Sequence, residues 1–143
     1  MPTLDSDVRP ETSSLNILSV SSISTDHAEL RHMLFQTPWR MASVHTCRSA
    51  KAVLQRQSVS VIVCERDLPD GNWRDLLGLA GHTARSPLMI VTSRLADEHL
   101  WAEVLNLGGY DVLAKPFHEQ EVRHVLASAE NRYEQQDRLA VGN

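Results

Sequence analysis

The stretch Val59-Ser60-Val61-Ile62-Val63-Cys64-Glu65-Arg66-Asp67-Leu68-Pro69-Asp70-Gly71 is an apolar run that ends in a carboxylate and then in a turn signal. The run is short, continuous and rich in β-branched residues, which fits a strand covered on both faces of a parallel sheet better than it fits a helix. Pro69 presets φ for the first corner of a turn, Asp70 can bond its own backbone, and Gly71 tolerates positive φ. In an open parallel sheet, ligands sit beyond the carboxyl ends of the strands, where Glu65 falls. A carboxylate at such an end is also commonly just solvated, so this stretch predicts a fold more firmly than a site.

The rest of the chain repeats the alternation of strand and helix. Leu15 to Val20 reads as a first strand ending in Ser21-Ser22-Ile23-Ser24, and Asp26 with Glu29 forms a capping-box pair ahead of a helix with Leu30, Met33 and Leu34 on one face. Trp39 to Val44 reads as an edge strand, and Ser49 as the cap of a helix that buries Ala50, Val53 and Leu54. Trp73, Leu76, Leu77 and Ala80 fall at helical spacing, and Leu88 to Thr92 is a fourth strand. Asp97 caps a helix expected to bury Leu100, Trp101, Val104 and Leu105. Gly108-Gly109 ends that helix, Tyr110 to Ala114 is a fifth strand, and Lys115-Pro116-Phe117 closes it with a turn. A last helix turns Val122, Val125, Leu126, Ala129 and Tyr133 inward and runs on towards Leu139. Five β-then-α units imply a parallel sheet with helices on both faces, because parallel neighbours need a crossover connection. Its strand ends gather Ser21, Ser22, Glu65, Thr92 and Lys115 on one rim.

Composition narrows the function classes. With 143 residues, 42% of them hydrophobic, the chain supports one core. A net charge of -4 and a charged fraction of 22% give no polybasic field, so neither nucleic acid nor a membrane surface is an expected partner. Cys47 and Cys64 lack metal-ligand spacing and the density of a secreted disulfide scaffold, which suits reduced thiols in the cytoplasm. No stretch approaches the roughly 20 apolar residues of a membrane span, and Met1 to Ser14 reads as a polar, disordered leader. The seven histidines include no helical His-x-x-x-His pair with a third ligand in view. No glycine-rich phosphate loop appears.

Over residues 15–133 the rim residues and their spacing resemble the receiver domain of bacterial two-component response regulators. Leu68-Pro69-Asp70-Gly71, Thr92, Gly108 and Lys115-Pro116-Phe117 match that family's motifs in order. The resemblance implies a flavodoxin-like doubly wound five-stranded parallel sheet of order 2-1-3-4-5, a fold for which a family member is a standard example. It also implies a cis Lys115-Pro116 bond; the charged composition of the chain's end separately reads residues 134–143 as a helix extension or a linker. Three positions depart from the family. The acidic pair falls on Ser21 and Ser22, the phosphoacceptor position is Glu65 in place of Asp, and the aromatic switch position is Val112.

These departures set the functional expectation. Glu65 and Lys115 cancel and two serines add no formal charge, so the pocket is expected to be neutral and to hold no metal, since magnesium wants oxygen ligands including one or two carboxylates. A charge pair at 4 Å is worth about 4 kcal/mol at an effective dielectric of 20, so losing two anions removes several kcal/mol of attraction for a divalent ion. Glu65 also carries its carboxylate outward by about 1.5 Å relative to Asp. The chain is expected to be an atypical receiver, not an enzyme and without a cofactor, with Glu65 paired to Lys115. It would act through a protein partner such as a sensor kinase, an output domain or another regulator. Contacts would run through the fourth helix, fifth strand and fifth helix, where a homodimer could also form. The rivals are autophosphorylation at Glu65 or Asp67, and a small ligand held among Ser21, Ser22 and Thr92.

Overall fold

The computed structural model describes residues 15–83 and 85–142, with side chains through residue 136; the leader expected at residues 1–14 lies outside the described residues. Five strands form one parallel sheet: β1 (Asn16–Val20), β2 (Arg40–Val44), β3 (Val61–Glu65), β4 (Leu88–Ser93) and β5 (Asp111–Ala114). Their order is β2-β1-β3-β4-β5, the order expected from the sequence. The connections hold α1 (Ser24–Met33), α2 (Cys47–Arg56), α3 (Trp73–Ala80) and α4 (Glu98–Asn106), and α5 (Glu119–Gly142) follows the last strand.

Successive strand residues face opposite sides, so each strand feeds two apolar layers. Leu18, Val20, Ile62, Cys64, Met89 and Val91 pack with α2, α3 and α4. Ile17, Val61, Val63, Ile90 and Leu113 pack on the other side, with Leu30 of α1 and Val122, Leu126 and Ala129 of α5. The central strands β1, β3 and β4 are buried almost throughout, as suits strands covered on both faces. All five residues expected to turn inward from the last helix, Val122, Val125, Leu126, Ala129 and Tyr133, are buried.

Local punctuation departs from the sequence reading in four places. The residue preceding α1 is Ile23, with no side-chain cap, so Asp26 is inside the first turn and is not the cap. Thr46, not Ser49, caps α2, accepting a hydrogen bond from the Ser49 amide at 3.0 Å; two hydroxyl residues three apart satisfy the same cap pattern, and the sequence does not rank them. Gly71 does not have positive φ: among the described residues only Gly108 does, at 104°. A Cβ at Gly71 would instead stand 2.5 Å from Asp75 Oδ2 and 3.0 Å from Cys47 Sγ, both side-chain ends that would have to shift. Trp101 and Leu105 of α4 are not core; they are 51% and 38% exposed, while Leu100 and Val104 are buried. The helix presents only a narrow stripe to the sheet, so neighbouring apolar positions on the same turns face outward.

The Leu68-Pro69-Asp70-Gly71 turn joins the two-residue antiparallel segments Asp67–Leu68 and Gly71–Asn72. Its Asp70 reaches across to α2 and accepts from the amides of Cys47 at 2.8 Å and Arg48 at 3.0 Å. These are donors that a helix leaves unpaired in its first turn. The turn that follows β3 therefore also anchors the start of the neighbouring helix.

Candidate functional site at the strand ends

The carboxyl ends of β1, β3, β4 and β5 meet on one rim, and the chemistry there centres on Lys115. Its ammonium group donates to Glu65 Oε1 and, at 2.9 Å, to Asp26 Oδ2. All three side chains are largely covered: Lys115 is 6% exposed, Asp26 9% and Glu65 14%. Burial pulls the Lys115 ammonium down, but the hydrogen bonds and charges of Glu65 and Asp26 outweigh it and leave its pKa above the ordinary lysine value. The Lys115 amide bonds the Ser93 carbonyl at 3.1 Å, and the Lys115-Pro116 bond that follows is cis.

Asp26 is the site residue that sequence reasoning missed, having been assigned to a helix cap. A helical Cα–Cβ bond tilts toward the helix N-terminus, so a side chain in the first turn of α1 points back over the rim of the sheet. Ser21 fixes it there: its hydroxyl donates to Asp26 Oδ2 at 2.7 Å and accepts from the Ile23 amide at 3.0 Å. The expectation of a neutral pocket is thereby corrected. Two carboxylates and one ammonium leave one net negative charge, and the second carboxylate comes from a helix where the pattern had placed two serines at the end of β1.

The remaining expected residues divide. Ser21 is buried and belongs to the network, whereas Ser22 is exposed. Thr92 lies directly opposite Glu65 in the sheet register and is buried, and its carbonyl accepts from the Arg66 amide at 2.9 Å. Asp67 is an exposed turn residue, paired with Arg66 at 3.0 Å. Val112 is half-buried in β5 and lines a cavity of about 240 Å³ with Trp101, Asp97, Ala114 and Glu121. Tyr110 contacts Ser128 of α5 through its hydroxyl group.

Behind Ser21 stands a second polar cluster. The Ser21 carbonyl accepts from His27 Nε2 at 2.9 Å and His45 Nδ1 at 3.1 Å, and His27 Nδ1 meets Ser19 Oγ at 2.8 Å. The Ser21 carbonyl oxygen can only accept, so His27 Nε2 carries a proton, and a hydrogen bond links the other ring nitrogen to the Ser19 hydroxyl. This cluster buttresses the β1 end that carries Ser21. Among the described residues, no group of three or more His, Cys, Asp or Glu side chains is arranged to hold a metal ion.

Neither a protein-family model nor a curated protein matches the sequence. Solved structures do. The signal receiver domain of an HD domain-containing protein from Pseudomonas fluorescens Pf-5 is 23% identical with a TM-score of 0.79, over 88% of this chain and 93% of that one. The fold is that of receiver domains. A CheY-like response regulator receiver domain protein from Methanospirillum hungatei JF-1 is 17% identical with a TM-score of 0.77, over 87% of this chain and 99% of that one. The receiver domain of a sensor histidine kinase from Pseudomonas aeruginosa PAO1, crystallised with magnesium coordinated in its active site cleft, is 21% identical with a TM-score of 0.71, over 82% of this chain and 98% of that one. No helix among the described residues is long and apolar enough to cross a membrane.

Proposed function

We propose that this chain is a signalling module with a receiver fold whose rim is held in one conformation by its own ion cluster, without phosphorylation. The observation that carries this is Lys115 bonded to Asp26 and Glu65 at once. In the resemblance drawn from the sequence, a lysine at this position meets a phosphoryl group on the residue at the Glu65 position; here the longer glutamate side chain meets it directly. Phosphoryl transfer depends on positioning and on neutralising charge. The donor set does not fit the magnesium ion that the fold family implies. Among the described residues no group of three or more His, Cys, Asp or Glu side chains is arranged to hold a metal ion, and Asp26 and Glu65 each already give one oxygen to Lys115. An octahedral ion would have to compete with Lys115 for both carboxylates, with the Ser21 hydroxyl already donating to Asp26.

The module acts by contact, not by catalysis, in the cytoplasm. Four of the six exposed large apolar side chains among the described residues, Leu95, Trp101, Leu105 and Leu107, lie on α4 and its flanks. Together with β5 and α5 this forms the docking face for a kinase, an output domain, another regulator or a second copy. Val112 puts no aromatic ring at the switch position of β5, which suits a surface kept in one state. Incubation with acetyl phosphate and magnesium, followed by intact mass measurement, tests the reading: the mass stays unchanged for the native chain and for Asp67→Asn. A stable added phosphoryl group on either protein refutes it.

A further inference from the structure

The cavity of about 240 Å³ beside Val112 lies between α4, β5 and the first turn of α5. Its floor is apolar and shallow. Val112 and Ala114 stand two residues apart on one face of β5, and both side chains are short. α4 meets the sheet through Leu100 and Val104, which are buried, so the neighbouring Trp101 is left half in solvent over the cavity. The indole Nε1–H donates to Asp111 Oδ1 at 3.4 Å, which tethers one edge of the ring to the start of β5. The rim carries a single sign of charge. Asp97, Glu98 and Glu121 line it, no Lys, Arg or His does, and among the described residues none of the three carboxylates is in an ion pair. Asp97 spends one oxygen on the Leu100 amide at 2.9 Å as the cap of α4. The nearest cations along the chain are engaged elsewhere: Lys115 bonds Asp26 and Glu65, and Arg123 bonds Glu119 and the Met33 carbonyl.

We propose that this cavity receives an arginine side chain from a partner protein, its guanidinium against the Trp101 ring and its charge facing Asp97, Glu98 and Glu121. On the reading of α4, β5 and α5 as the docking face, this is the partner chemistry that the face selects. The volume lies below the range of about 300–1,000 Å³ usual for small-molecule sites, and suits one side chain delivered by a larger surface. Tryptophan is the best ring for a cation, and arginine is preferred over lysine because its planar guanidinium both stacks on the ring and bonds carboxylates through a fork. Leu95, Leu105 and Leu107 are exposed around it and supply the apolar surround in which a seated arginine carries most of a contact's energy. A neutral or acidic segment would lay three uncompensated carboxylates against itself, which selects against it.

The probe is the peptide acetyl-Ala-Leu-Arg-Leu-Ala-amide, with a counterpart carrying citrulline in place of arginine, which keeps the shape and removes the charge. Titrations into the full chain are followed by NMR at the Trp101 indole N–H and the Val112 methyl groups. Saturable shifts centred on these two residues are expected, with the arginine peptide bound at least about fivefold tighter than the citrulline peptide. Trp101→Leu weakens the arginine peptide about threefold, the size of an exposed cation–π contact. Glu98→Gln and Glu121→Gln together weaken it by a similar factor and leave the citrulline peptide and the circular dichroism spectrum unchanged. Raising the ionic strength from about 0.1 M to about 1 M, which shortens the screening length from about 10 Å to about 3 Å, narrows the gap between the peptides. Equal binding of both peptides, absence of saturation, or indifference to these substitutions overturns the proposal. So does a Trp101 signal that shifts on dilution of the chain alone, which would make a second copy the occupant. A missing arginine preference with no mass gain from acetyl phosphate removes the arginine site and leaves the phosphorylation-independent module standing; a mass gain with the preference intact does the reverse.

Discussion

Lys115→Met removes the one cation that Asp26 and Glu65 share while keeping an apolar stem of similar length. The two carboxylates are left covered and unpaired against each other. Removing one partner of a buried ion pair costs about 3–5 kcal/mol, and the rim position of Glu65 puts the expectation near the lower end, about 3 kcal/mol. For a domain whose whole stability is about 5–15 kcal/mol this is a large fraction. With a urea slope of about 2 kcal/mol/M, the midpoint falls by about 1.5 M. Urea titrations at pH 7 in low salt measure it. The triple variant Lys115→Met, Asp26→Asn, Glu65→Gln recovers most of the loss, since replacing an entire buried cluster is close to neutral where breaking it is not. Because the Lys115 pKa is raised, its contribution is fully present below the ordinary lysine value of about 10.4 and is lost as pH rises through the higher folded value. A midpoint shift under about 0.5 M, or a triple variant no more stable than the single one, refutes the argument and makes the cluster a solvated surface arrangement.

Two further outcomes test the scaffold that presents the rim. The Asp70 carboxyl is held below its usual range, chiefly by the amides of Cys47 and then Arg48, so its support of α2 is complete above about pH 4 and is lost as pH falls through the folded value. Asp70→Asn therefore lowers the urea midpoint at pH 7, and the difference from the native chain closes toward pH 2; a difference that persists in acid contradicts the assignment. Gly109→Ala destabilises by about 1–3 kcal/mol because its Cβ would stand 2.4 Å from Val104 Cγ1 and 3.0 Å from the Val104 carbonyl oxygen, whereas Gly78→Ala in α3, with nothing within 4 Å, stabilises by about 0.5–1 kcal/mol in thermal melts.

What the sequence displays well is what strand burial and turn chemistry write locally. The runs at 61–64 and 88–91 are apolar without interruption because both their faces are covered, and Gly108 marks the end of α4 through a positive φ that other residues avoid. Glu65 and Lys115 were legible as partners because one ends β3 and the other follows β5, strands whose ends the pattern fixes. Asp26 was not, for a physical reason. An acidic residue near a helix start satisfies a capping rule and a site equally well, and only the tilt of the first turn over the sheet decides between them. Thr46 against Ser49, and Leu100 against Trp101, fail in the same way: the periodic signal locates the element, while a rotation of one position within it is set by packing against elements far away in sequence.

On the reading proposed above, the position of Asp26 also bears on how such a module could be controlled. Its carboxylate reaches Lys115 from α1, so the cluster joins the β1–α1 side of the rim to β3 and to the end of β5. Releasing Lys115 from both partners costs about 3 kcal/mol by the estimate made for Lys115→Met, while driving a two-state element from 1:99 to 99:1 takes about 5.5 kcal/mol of differential binding. A partner docking on α4, β5 and α5 would have to supply a difference of that order to change the rim, and no phosphatase could remove a glutamate. Regulation then rests with the abundance of the partner or of the chain itself, and a variant that weakens the cluster modestly, Asp26→Asn, should loosen partner binding and rim protection from hydrogen exchange together. If exchange at Ser21, Glu65 and Lys115 rises while affinity for a captured partner stays constant, the rim and the docking face are uncoupled and the cluster serves stability alone.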